Sequence, residues 1–77
     1  MKLNFVNEMD YWSVWNKKKE KLGYLYYCNE WETWAWEQSE DIIMSLDCLI
    51  QVTDFLKELN KNQPKGNKYM NINKNEK

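Results

Sequence analysis

Few side chains in this sequence have chemistry to offer. The carboxylates Glu37, Glu40 and Asp41 lie close together, and clustered acids at a strand end can hold Mg²⁺ or divide into a general acid and a general base. Nothing in their spacing demands such a geometry, so they are expected to form a solvated connection. Cys28 and Cys48 are the only thiols. Neither belongs to a CxxC pair, and no His is present to complete a zinc site, so both are expected to be free. Cys48 is the thiol whose pKa a helix N-terminus would lower. With no His, no Arg, three Ser and no glycine-rich loop, the usual nucleophile and base pairs and phosphate cradles cannot be assembled. The expectation is a protein that is not an enzyme and uses no metal or cofactor.

The remaining chemistry is that of recognition. Tyr24 to Trp36, YLYYCNEWETWAW, gathers Tyr24, Tyr26, Tyr27, Trp31, Trp34 and Trp36 in one short stretch and interleaves them with Glu30 and Glu32. Exposed rings can stack single-stranded bases or serve as hot spots for a protein partner. Charge separates these two uses. Residues 1–60 hold six Lys against eleven acids, a balance of −5, whereas residues 61–77 hold five Lys against Glu76. An acidic body with a basic tail and no Arg lacks the usual bidentate grip on phosphate and guanine. Its carboxylates suit a basic protein surface instead. The expected partner-binding residues are Tyr24, Tyr26, Glu30, Trp31, Glu32, Glu37, Glu40 and Asp41. A homodimer is the other expected use of a ring-rich face, nucleic acid is disfavoured, and no membrane partner is expected. The first ten residues lack the apolar run of a secretory signal, so the expected compartment is a reducing cytoplasm.

The elements that must position these residues follow from periodicity. Seventy-seven residues support one small domain, and twelve aromatic residues supply much of its buried area. Tyr11 to Asn16 alternates as a strand, Lys17 to Lys21 reads as a turn, and Leu22 to Cys28 is the next strand. The reversal is Asn29-Glu30 or a four-residue loop through Glu32. Either even length puts Leu25 and Tyr27 on one face with Trp34 and Trp36, and Tyr24, Tyr26 and Cys28 on the other with Thr33, Ala35 and Glu37. In the two-residue version Gly23 sits opposite Trp36, whose ring would fold over it. Met1 to Asp10 is left open between a short strand and a helical turn, and Ile42 to Met44 between a brief fourth strand and a lead into the helix.

Ser45 is the expected N-cap, with Asp47 in the first turn. Leu46, Leu49, Val52, Leu56 and Leu59, joined by Ile50 and Phe55, form the expected apolar side of a four-turn helix ending near Asn60. The fold class is therefore α+β: a three-stranded antiparallel sheet, with a fourth strand left open, and one amphipathic helix packed on one face. Residues 1–60 form the domain, and residues 61–77 a disordered, basic C-terminal tail.

From Leu22 to Asn60 the pattern of Gly23, Tyr27, Trp31, Cys48, Leu49, Phe55, Leu56 and Leu59 resembles a group of small, largely uncharacterised proteins encoded by phages and prophages. Glu37 stands where an aromatic residue is common in that group. The resemblance implies the ββα order and a mobile-element origin. By analogy with small acidic phage proteins it also implies inhibition of a host nucleic-acid-handling or defence effector, in the manner of an anti-CRISPR.

Overall fold

The computed structural model describes residues 2–65. Four strands, β1 (Asn4–Asn7), β2 (Tyr11–Trp15), β3 (Lys21–Cys28) and β4 (Thr33–Gln38), precede a single helix, α1 (Leu46–Asn62). The strands form an antiparallel meander in the order β1-β2-β3-β4. The architecture is the expected α+β. The fourth strand lies at the N-terminus, however, and Ile42 to Met44 forms none. Four residues of local sequence are too few to declare a strand; β1 exists because it pairs along β2, from Asn4 against Trp15 to Asn7 against Trp12.

The β3–β4 loop takes the four-residue form, Asn29 to Glu32, with Glu32 in the left-handed region at φ 55°. Cys28 then pairs Thr33, Tyr27 pairs Trp34 and Leu25 pairs Trp36. The faces are those expected from an even loop, and Gly23 comes opposite Gln38 rather than Trp36. The β2–β3 turn is built around Asn16, whose Oδ1 accepts from the backbone N–H of Lys18 and of Glu20, each at 2.9 Å. Lys21 belongs to β3 and not to the turn. A bulge at Val14/Trp15 shifts the register there, so that Trp15 pairs Lys21. Lys21 therefore joins Trp15 on the face away from the helix.

The core lies between the sheet and α1. Val14, Leu22, Leu25, Tyr27 and Trp34 meet Cys48, Val52 and Leu59, with Leu3 closing one side. Phe55 stacks on Phe5 at 4.2 Å and meets Trp12 edge-on at 4.9 Å. Ring pairs of this kind add about 0.5–1.5 kcal/mol each beyond their buried area. Ser45 caps α1, its hydroxyl accepting from Cys48 N–H at 3.2 Å. The helix continues past Asn60 to Asn62, and Gln63 N–H donates to Leu59 C=O. Asn60 and Gln63 tie this end of the helix to β4. Asn60 Oδ1 accepts from Trp34 N–H and from the Thr33 hydroxyl, both at 3.0 Å, and Gln63 C=O accepts from Trp34 Nε1 at 2.9 Å.

The expected buried side of the helix needs correction. Leu46, Leu49 and Ile50 are exposed, while Cys48 is buried in the core. The residues that dock are those one turn apart from Cys48 through Val52 and Phe55 to Leu59, which face the sheet as a set. Lys61 to Gln63, expected to belong to the tail, are part of the helix and its cap. From residue 66 the tail lies outside the described residues.

Candidate functional site

The sheet face turned away from α1 carries Tyr11 and Ser13 of β2, Tyr24, Tyr26 and Cys28 of β3, and Ala35 and Glu37 of β4, while Thr33 at the start of β4 reaches Asn60 of the helix. Antiparallel register sets Tyr11 against Tyr26, and Tyr24 between Ser13 and Glu37. The Tyr11 and Tyr24 rings meet edge-on at 5.8 Å, and Tyr24 and Tyr26 lie 5.9 Å apart. Lys21 Nζ stands 5.9 Å from the Tyr11 ring centre and 5.8 Å from that of Tyr24, a double cation–π contact. Asp10, Tyr11, Tyr24, Tyr26 and Glu37 line a cleft of about 370 Å³ on this face.

Ser13 on the same face joins a part-buried polar relay. Trp15 Nε1 donates to Ser13 Oγ at 2.9 Å, and the Ser13 hydroxyl donates to Glu8 Oε2 at 2.6 Å. Ser13 is only 1% exposed although no helix covers it; side chains on this face close over it. The Tyr26 phenol is held above its ordinary pKa, chiefly by burial and then by the nearby Cys28 thiol, Glu37, Tyr24 and Glu30. It therefore remains a neutral hydrogen-bond donor at physiological pH.

The expected site residues divide into two groups. Tyr24, Tyr26 and Glu37 share the cleft. Glu30, Trp31 and Glu32 crown the β3–β4 loop at one end of the sheet, with Trp31 75% exposed. Glu40 and Asp41 follow the far end of β4, about 20 Å away along a six-residue strand. The structure adds neighbours that linear reading missed. The β1–β2 turn lies at the same end of the sheet as the β3–β4 loop, because Tyr11 pairs Tyr26. Glu8, Met9 and Asp10 thus join Glu30, Trp31 and Glu32. These two connections hold four carboxylates and no lysine, while the lysine turn, Lys17 to Lys19, lies at the opposite end. The alternation of Tyr11, Ser13 and Trp15 was the available signal, but it could not show on which face the set falls.

Among the described residues no group of three His, Cys, Asp or Glu side chains is placed to hold a metal ion. Cys28 and Cys48 are free, and they cannot act as a redox pair in this fold: Cys28 sits on the open face of β3 and Cys48 is buried under the other. No helix among the described residues is long and apolar enough to cross a membrane.

Fold and surface together define a small α+β meander with one helix and one uncovered aromatic sheet face. Comparisons with protein-family models, curated proteins and solved structures returned no match for the chain.

Proposed function

We propose that this chain is a binding protein that seats a basic surface of another protein on its open tyrosine face and Trp31 loop. The observation that carries this is the cleft itself: Tyr11, Tyr24 and Tyr26 walled by Asp10 and Glu37, on the face α1 leaves uncovered. Tyr and Trp offer large contact area with few rotatable bonds, and the carboxylates steer a cationic partner. Glu30 and Glu32 extend the negative rim to the exposed Trp31. In Glu37 the chain adds a charge, not an aromatic ring, to this face.

The resemblance to phage and prophage proteins extends the proposal. In that setting the target is a host nucleic-acid-handling or defence protein, met in the host cytoplasm, and the acidic surface inhibits it by occupying the groove that DNA or RNA would fill. Affinity capture from host lysate at low ionic strength should recover one stoichiometric basic protein. Capture should weaken as salt rises and should be lost with Trp31→Ala or the charge reversal Glu37→Lys. Recovery of no such partner, or one indifferent to both substitutions, overturns the proposal.

Lys21 favours single-stranded nucleic acid, because a cation between two rings is what a base-stacking platform offers. It already occupies those rings, and the surrounding acids repel phosphate. A gel shift with the full chain and with a truncation after Lys65 decides the matter. The cut belongs there because Gln63 still accepts from Trp34. A nucleic-acid binder loses affinity with the tail lysines, and an inhibitor of a basic protein keeps its target.

A further inference from the structure

On the back of α1, away from the sheet, lies a second and unrelated surface. Leu46 is 74% exposed and Ile50 49%, and Ile43, just ahead of the helix, is 96% exposed; Leu49 flanks them. Leu46, Leu49 and Ile50 are spaced three and four apart and so form one ridge over the first two turns. The core takes the opposite side of the same turns through Cys48 and Val52. The start of the helix is thus apolar on both sides, and only one side is used.

Charge says what the free side accepts. Glu40 and Asp41 lie three and two residues before Ile43, Asp47 and Asp54 lie one turn either side of Ile50, and Lys57 is two turns beyond Ile50. The ridge is bordered by carboxylates. A second copy of the chain would bring acid against acid. Four side chains also present only on the order of 400 Å² of apolar surface, about half of the roughly 800 Å² per partner that a stable pair of proteins buries. An anionic lipid surface is repelled by the same border. A short apolar ridge with i, i+3, i+4 spacing instead fits the groove of another helix.

We propose that Ile43, Leu46, Leu49 and Ile50 form a docking ridge for an amphipathic helix of a partner protein whose apolar stripe is flanked by Lys or Arg. This assigns Glu40 and Asp41 to the rim of that ridge. The ridge does not depend on the cleft, and each can fail without the other.

The test uses the full chain and two labelled synthetic helices, one of Leu and Lys and one of Leu and Glu, read by fluorescence anisotropy. The Leu/Lys helix should bind and the Leu/Glu helix should not. The double variant Leu46→Ser/Ile50→Ser, whose exposed positions leave the thermal midpoint near that of the parent, should lose at least tenfold in affinity. Asp41→Asn/Asp54→Asn should weaken binding several-fold and flatten its salt dependence, while Trp31→Ala and Glu30→Gln/Glu37→Gln leave it unchanged. Equal binding of the two helices, or binding indifferent to the Ser pair, overturns the proposal. Two further results would also overturn it: a parent dimer that the Ser pair converts to monomer in sedimentation, and binding to zwitterionic vesicles that the Ser pair abolishes.

Discussion

The indole of Trp36 occupies the space where Gly23 lacks a side chain. A Cβ at position 23 would come within 2.6 Å of Trp36 Cη2 and 2.9 Å of Cζ2, and closer still to the Glu37 carbonyl oxygen. The ring reaches Gly23 diagonally, since its direct partner across the strands is Leu25. Among the described residues no group accepts from its buried indole N–H.

Gly23→Ala should therefore destabilise the protein by about 3 kcal/mol, at the upper end of overpacking costs. Removing the ring should not restore it. In Gly23→Ala/Trp36→Leu the clash with the Glu37 carbonyl persists, and chemical denaturation of the double variant should show it no more stable than Trp36→Leu alone.

Asn60 fastens the end of the helix to the start of β4 through two accepted hydrogen bonds. Asn60→Ala strands the Trp34 N–H in a partly buried position and should cost about 1–3 kcal/mol. Asn60→Asp keeps an acceptor for both hydrogen bonds and should cost less, although a negative charge near a helix C-terminus is itself unfavourable. Comparison of the two denaturation midpoints checks the assignment.

Lys19 closes the β2–β3 turn at φ 65°, a conformation that costs a residue with a Cβ about 1–2 kcal/mol. Glycine removes that strain but adds freedom to the unfolded chain, which takes back about 0.4–1 kcal/mol. Lys19→Gly should thus raise stability by about 0.5–1 kcal/mol. Asn16→Ala, which removes the acceptor for Lys18 and Glu20 N–H, should lower it.

Tyr26 should make the protein sensitive to alkali. Its folded pKa is raised above 10.0, first by burial, so the folded state holds the proton more tightly than the unfolded chain does. Below pH 10 both states keep the proton and the contribution is intact. As pH rises past 10 the unfolded chain ionises first, and stability falls through the folded pKa. Tyr26→Phe should flatten this alkaline limb and remove the latest step in the tyrosinate absorbance titration. An unchanged limb would place the sensitivity elsewhere.

Much of the molecule can be read from neighbouring residues because strands and helices impose their periods locally. Ser45 before Leu46 marks the helix start, and the alternation from Tyr24 to Cys28 and Thr33 to Glu37 assigns both faces once the loop is even. Tyr24, Tyr26 and Glu37 consequently fall together as expected. Asp10 and Tyr11 were missed because they reach the cleft through the β2–β3 pairing, a contact between residues that local sequence does not connect. Glu40 and Asp41 were drawn into the same site by nearness in sequence; they lie past the end of β4 opposite the Trp31 loop, three and four residues beyond Glu37.

The helix shows where pattern stops being informative. Leu46, Leu49 and Ile50 recur at helical spacing as faithfully as Val52, Phe55 and Leu59, so periodicity determined that an amphipathic helix begins at Ser45 but not which way it rolls. Phe55 stacking on Phe5 and Asn60 bonding to Thr33 and Trp34 decided that, since a rigid helix held at two points has one orientation to offer. In the same way, alternation divided the tyrosines from the core rings. Only the single helix, which can cover one side of a sheet, decided that the tyrosine face stays open.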